Sequence, residues 1–370
     1  MSAENKHFNF YDLVITETTT PKALDKLPPN SITDHMLEID WTVEKGWGTP
    51  QIKPVEPLAL DPTSSCLHYA TQCFEGLKVF RSRDGKTVRL LRPELNLARL
   101  NDSAQRLTLP QFDEQELLKI LLKFVSLEAR FIKPGSFIYT RPFILGTSTG
   151  LGLNATTMAK LIVVLTLMPS LSDKSLKLYS SEPTEAVRAW PTGFGSKKLG
   201  ANYGPTLKQQ LRASADGYDQ VLWLYGEQER LVTEAGGSNF MAVLRNKING
   251  NIEIVTCPLD TNLILPGINR RSALEYLRER ELDTGVKVLE KRFSIDDLEE
   301  AMVEGRLQEA FAIGTAYFVA AVGEIRTPEG KTIHVPVLQT GIVNDLQKHF
   351  EDIMYGSKDH PWTVVVLKEK

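Results

Sequence analysis

Cysteine is scarce in this chain. Cys66, Cys73 and Cys257 are odd in number, widely spaced and form no Cys-x-x-Cys pair. A disulfide-built scaffold and a thiolate metal centre are therefore excluded, and a reduced compartment is the simplest setting. Long apolar runs are missing too. None approaches the roughly 20 residues that span a bilayer, so no membrane partner is expected. Neither sign of charge dominates: 43 Lys+Arg stand against 46 Asp+Glu, a net charge of −3. That balance gives no basis for a nucleic-acid partner. Met1 to His7 hold no apolar signal core and no arginine-rich, acid-poor transit pattern, so the expected location is cytoplasmic. No internal repeat or low-complexity segment is present, and no cluster suited to a metal.

A chain of 370 residues is long enough for two domains and a large core. The polar stretch 169–176 is the expected interdomain loop. It would part a smaller α/β domain, 1–168, from a larger one, 177–370. The first 30 residues are polar and aperiodic and read as an arm lying on the surface. Strands are expected up to Phe80 and over Thr87 to Leu91, joined by a turn at Asp84-Gly85. Pro93 can open a helix through Asn96, Arg99 and Leu100, and Glu114 to Arg130 shows helical spacing of its apolar residues. Phe137 to Ile144 reads as a strand that puts Tyr139 and Arg141 on one face, a pattern suited to a carboxylate. Leu161 to Leu167 is a continuous apolar run, fit for a buried strand.

The second half holds the most distinctive stretch, Gly193 to Pro205, in which four glycines and a proline surround Lys197, Lys198 and Tyr203. An irregular segment of this kind can hold an amine rigidly in a pocket. Such an amine reacts with a carbonyl when its pKa is depressed. Spacing alone does not choose between Lys197 and Lys198. Further on, strands are expected at Val221 to Tyr225, Leu231 to Glu234 and Ile252 to Thr256, with Ala235 to Asn239 as a turn-rich segment. Asn269 is a candidate N-cap for a helix running to Arg280, a junction suited to binding an anion. Phe311 to Val319 reads as a strand broken at Gly314-Thr315, and the chain closes with a strand from Trp362 to Leu367.

The stretch Lys197-Lys198-Leu199-Gly200-Ala201-Asn202-Tyr203-Gly204-Pro205 closely resembles the cofactor-lysine segment of the branched-chain amino acid aminotransferases, above all the eukaryotic and fungal ones. The resemblance runs along nearly the whole chain through at least six segments. It implies an α+β fold of two domains, that of the fold-type IV pyridoxal 5'-phosphate (PLP) enzymes, with the active site at the domain interface. The implied reaction is transamination between L-leucine, L-isoleucine or L-valine and 2-oxoglutarate or glutamate. Lys198 would hold PLP as an internal aldimine, with pyridoxamine phosphate as the intermediate and a homodimer as the assembly. By the same resemblance Arg99, Ile268, Asn269 and Thr315 hold the phosphate, Tyr203 the phenolate oxygen and Glu234 the pyridine nitrogen. Tyr69, Phe74 and Leu153 would line the side-chain pocket. Tyr139 and Arg141 would take a distal carboxylate, and the Ala316 N–H the substrate carboxylate.

Four departures from the family pattern stand out. Gly237 and Ser238 replace a usual threonine and methionine, which enlarges the pocket and suggests a larger or unusual aliphatic 2-oxo acid as an alternative substrate. Asn269 replaces a threonine. Ala312-Ile313 precede Gly314 where Gly-Ser is usual. Tyr317 and Ala320 stand where mammalian relatives carry a redox Cys-x-x-Cys.

Overall fold

The computed structural model describes residues 7–24, 27–168, 174–316 and 318–368. Tyr317 and residues 169–173 of the expected interdomain loop lie outside them. The chain divides into two compact units. One contains residues up to 168, 197–201 and 351–368; the other contains 174–196 and 202–350.

In chain order the first unit carries β1 (Val14–Ile15), β2 (Ile32–Thr42), β3 (Gly46–Trp47), β4 (Gln51–Pro54), helix α1 (Ser65–Tyr69), β5 (Gln72–Phe74), β6 (Leu77–Arg81), β7 (Thr87–Leu91), α2 (Pro93–Arg106), α3 (Glu114–Glu128), β8 (Phe137–Gly146) and β9 (Met158–Leu167). The second carries β10 (Leu176–Ser180), α4 (Leu207–Ala215), β11 (Gln220–Tyr225), β12 (Leu231–Ala235), β13 (Ser238–Arg245), β14 (Ile252–Thr256), α5 (Ile268–Glu279), α6 (Glu281–Thr284), β15 (Lys287–Glu290), α7 (Ile295–Val303), β16 (Leu307–Gly314), β17 (Phe318–Arg326) and β18 (Thr332–His334). After α8 (Ile342–Met354) comes β19 (Thr363–Lys368).

The first sheet runs β1-β4-β2-β9-β8-β6-β7-β19, with β3 on β2 and β5 on β8. Its pairings are antiparallel except β1 with β4. Strand β8 alternates as its sequence predicts. Ile138, Thr140 and Ile144 are buried on one face, while Phe137, Tyr139, Arg141 and Phe143 are half-buried on the other. Ile138 and Ile144 join Leu97, Leu100 and Ala104 of α2 and Leu117, Ile120, Leu121 and Phe124 of α3 in one core. The side chain of Asp113 caps α3 by accepting from the N–H groups of Gln115 and Glu116.

Helix α2 has a second, polar stripe. Asn96, Arg99 and Ser103 recur at i, i+3 and i+7 and are all buried. A buried polar side chain needs a partner, and these three find theirs at the candidate site.

The second sheet runs β12-β11-β10-β17-β16-β13-β14-β15, with β18 on β17. Strand β12 also pairs with β13, so β12, β11, β10, β17, β16 and β13 close a six-stranded ring. Closure removes the free edges that a short sheet would otherwise expose. Leu178, Leu222, Leu224, Phe240, Ala242, Ala310, Ala312 and Val322 fill this unit's core.

Three sequence expectations are corrected. The N-terminal arm is not purely superficial: Phe8 is buried against Trp47 and Phe112, because its ring has more to gain from the core than its polar neighbours can hold in water. The turn after Glu234 is only Gly236-Gly237. Ser238 and Asn239 are already strand, paired with Ala235 and Glu234. The closing strand β19 pairs antiparallel with β7 of the first sheet, where its Val364 and Leu367 find a hydrogen-bonded edge, and not with the unit that precedes it in the chain.

Replacing Leu100, which is fully buried, by alanine is expected to cost the fold about 2–5 kcal/mol. Urea unfolding followed by circular dichroism reads this loss; a change below about 1 kcal/mol would mean that the α2 face is not the packing surface described.

Candidate active site

In the first unit, residues 197–201 dock beside β5. The Phe74 N–H donates to the Lys198 carbonyl at 3.1 Å, and Cys73 and Leu199 form an antiparallel bridge. The Lys198 N–H donates to Ser103 Oγ at 3.0 Å, so the polar stripe of α2 fixes the lysine backbone. The two lysines then part company. Lys197 Nζ is held by both carboxylate oxygens of Asp102, at 2.5 and 2.6 Å. Lys198 turns its amine inward, 5.0 Å from the centroid of the Phe74 ring. Burial, with Arg99 adding, pushes the Lys198 amine down to about 8, while Glu75 and Tyr139 oppose the shift. An amine lowered in this way is about one-tenth neutral at pH 7, far more than an ordinary lysine, and the neutral form is the nucleophile. Of the two lysines, Lys198 is the one whose amine is lowered by burial, while Lys197 is engaged with Asp102.

Arg99, expected to grip a phosphate, is buried against a carboxylate that sequence reasoning did not single out. Its Nε donates to Glu75 Oε1 at 2.7 Å and its Nη2 to Glu75 Oε2 at 3.0 Å. Asn96 Nδ2 donates to the same Oε2 at 2.8 Å. Burial alone would raise the Glu75 carboxyl. The Arg99 guanidinium outweighs it, with Lys198 and Asn96 helping, and holds the group below the usual carboxylate range.

Tyr139 and Arg141 do come together: Arg141 Nη2 donates to the Tyr139 hydroxyl at 3.1 Å. The Arg141 guanidinium also lies 4.7 Å over the Phe74 ring. This packing needs a glycine at 76, since a Cβ there would stand 1.8 Å from the tyrosine oxygen. Arg141 Nε is shielded from water and has no hydrogen-bond acceptor, the kind of donor an anionic ligand would satisfy. Across β6–β8 from Tyr139 stands Lys78, a second buried amine that the sequence did not flag. Burial pushes it down to about 7, and its Nζ lies 4.1 Å from the Phe137 ring centroid. Tyr69 ends α1, with its hydroxyl donating to the Leu151 carbonyl. It and Leu153 are exposed, at 37% and 77%.

In the second unit, Glu234 is buried on β12 and fully engaged. Arg188 Nε meets Oε2 at 2.8 Å. Asn239 Nδ2 and the Leu265 N–H donate to Oε1 at 3.0 and 2.8 Å. Arg188 was not picked out from the sequence; a single arginine in a loop carries no signal there. Asn269 is not the N-cap. Gly267 takes that place, without a side-chain cap, and Ile268 opens α5. The Asn269 side chain donates instead to the Gly314 carbonyl at 3.0 Å. This ties the N-terminus of α5 to the β16–β17 turn, where Thr315 and Ala316 lie. An uncapped helix start with free first-turn N–H groups suits a phosphate. Tyr203 stands between two short 3₁₀ turns, its carbonyl accepting from Thr206 Oγ1 at 2.6 Å. Ser238 is buried, whereas a Cβ at Gly237 would meet nothing within 4 Å.

The class IV amino-transferase family profile matches residues 72–325. The cytosolic branched-chain-amino-acid aminotransferase of Saccharomyces cerevisiae is 39% identical, over 94% of this chain and 96% of its own. This chain belongs to the branched-chain-amino-acid aminotransferase family. The mitochondrial member from Schizosaccharomyces pombe is 41% identical over 95% of this chain and 84% of its own. Among solved structures, the branched-chain amino acid aminotransferase of Thermobaculum terrenum in its PLP form superposes with a TM-score of 0.68. That match covers 92% of this chain and 99% of that one at 21% identity, a likeness that speaks for the fold.

Within this branched-chain aminotransferase fold, Arg188→Met removes the guanidinium from the buried Glu234 carboxylate. It is expected to lower unfolding stability by about 3–5 kcal/mol, measured in urea. The paired change Arg188→Met/Glu234→Gln should recover part of that loss. Equal losses in both variants would contradict the ion pair's role.

Proposed function

We infer that the chain transfers the amino group between L-leucine, L-isoleucine or L-valine and 2-oxoglutarate, with pyridoxal 5'-phosphate as its cofactor. The observation that carries this reading is the buried, pKa-depressed Lys198 amine beside the Glu75–Arg99 pair, in a member of the branched-chain aminotransferase family. When bound, the cofactor supplies an electron sink that acidifies the substrate Cα–H. Lys198 would hold the cofactor, and its amine, when free, would be the base that carries the proton from the substrate Cα to the cofactor carbon. Arg99, the Ile268 and Asn269 start of α5 and Thr315 would receive the phosphate, and Tyr203 would donate to the phenolate oxygen. Glu234, paired with Arg188, would serve the ring nitrogen. Ala316 offers its N–H to the substrate carboxylate. Arg141 and Tyr139 receive the distal carboxylate of glutamate. Tyr69, Phe74, Leu153, Gly237 and Ser238 bound the side-chain pocket. The working form is a cytosolic homodimer.

A second reading has its own observation. The open space at Gly237 favours an aliphatic 2-oxo acid longer than those of leucine, isoleucine and valine.

Glutamate formation from 2-oxoglutarate is the test. Leucine, isoleucine and valine should be the best donors, and Lys198→Ala should lower turnover at least about 10²–10⁴-fold. Preference for longer aliphatic donors, narrowed by Gly237→Thr/Ser238→Met, would move the assignment to the second reading. A cofactor-loaded protein inert toward every donor would overturn both.

A further inference from the structure

Glu75 is a fully buried carboxylate set between α2 and the segment that carries Lys198. Its side chain is 0% exposed and accepts four hydrogen bonds. These come from Arg99 Nε and Nη2, from Asn96 Nδ2, and from the Gly76 N–H at 3.1 Å. Its backbone is fixed as well, the N–H donating to the Pro142 carbonyl at 2.7 Å. The residue just before it, Phe74, donates to the Lys198 carbonyl. The carboxylate and the lysine are thus held to each other by a short ladder, and Asn96, Arg99 and Ser103 clamp both from a single face of α2.

We propose that Glu75 is a positioning residue for the transamination: its carboxylate orients the Arg99 guanidinium and supplies the negative charge against which the Lys198 amine is protonated. The proposal rests on the reading of Lys198 as the reactive amine. Two consequences follow from the geometry. Glu75 takes the Nε–Nη2 edge of Arg99 side-on, which fixes the orientation of the guanidinium plane. The second consequence concerns charge. With Glu75 ionised, the Arg99–Glu75 pair is neutral, and Lys198 can exchange a proton without facing an uncompensated cation. Without it, the Arg99 charge acts on the amine with less compensation and favours the neutral lysine. Other groups face the same amine. Arg141 from β8 acts in the direction of Arg99, and Tyr139 from β8 acts in the direction of Glu75. Lys78 of β6 stands opposite Tyr139. Lys197 is engaged with Asp102.

The test uses the full chain freed of cofactor, so that the readout is the lysine itself. Trace acetylation with isotopic acetic anhydride across pH 6–11, read by fragment mass spectrometry, gives the titration midpoint of Lys198, with Lys197 as an internal comparison. The wild-type midpoint is expected near 8. In Glu75→Gln it should move lower, with an acid constant raised about tenfold. Glu75→Gln/Arg99→Gln, which removes both charges, should bring it back toward the wild-type value. A purely structural role would lower the melting temperature and leave the midpoint in place, and an unmoved midpoint in folded Glu75→Gln overturns the proposal. Should Glu75→Gln not fold, Glu75→Asp takes its place. That change keeps the charge and withdraws it by one methylene, so the midpoint should fall by a smaller amount; no movement contradicts the proposal equally. The two readings fail separately. A midpoint that shifts in a protein unable to bind pyridoxal phosphate would sink the functional assignment and keep Glu75 in its role. A fixed midpoint in an active enzyme would do the reverse.

Discussion

A carboxylate sealed from water stays charged only if donors surround it, and the first unit is arranged around meeting that condition at Glu75. The polar stripe of α2 supplies Asn96 and Arg99 to the carboxylate and Ser103 to the Lys198 backbone. Its apolar face, meanwhile, locks the helix to the sheet through Leu97, Leu100 and Ala104. One helix therefore does two things: core packing sets its position, and that position sets the geometry of the reactive amine. Burial is the largest influence lowering the Lys198 amine, and the charges of Arg99 and Glu75 tune the result from opposite directions.

The second unit repeats the device. Glu234 is buried, paired with Arg188, and braced by Asn239 and the Leu265 N–H. In both units a buried carboxylate is paired with a guanidinium, and at Glu75 the pairing holds the group below the usual carboxylate range against its burial. The hydrogen bond from Asn269 to Gly314 joins the α5 start to the β16–β17 turn, so the amide that replaces the family's threonine acts as a brace between two backbone segments. It does not cap the helix.

Much of this was legible in the sequence, for reasons that can be named. Strand β8 announced itself by period two, which put Tyr139 and Arg141 on a shared face. Helix α3 announced itself by 3.6-residue spacing. Arg99, lying among apolar neighbours, called for an anionic partner. What stayed hidden depends on contacts distant in sequence. Glu75 is 24 residues from Arg99, and nothing in Phe74-Glu75-Gly76 marks the acid as buried. Arg188 and Glu234 are farther apart still. Lys78 looks like any strand lysine until its neighbours are known. The choice of Lys198 over Lys197 came from the family resemblance, and its physical basis, Asp102 on one side and the Phe74 ring on the other, came only with the fold. Strand β19 was read correctly as a strand, but its partner β7, more than 270 residues earlier, was beyond any local pattern.

The account's central claim is that Lys198 is the amine that carries the cofactor. Borohydride reduction of the PLP-loaded protein, followed by peptide mass mapping, tests it most directly. The account predicts a phosphopyridoxyl group on Lys198 alone. Its appearance on Lys197 or on Lys78, or on no lysine of a protein that retains the cofactor, would contradict it.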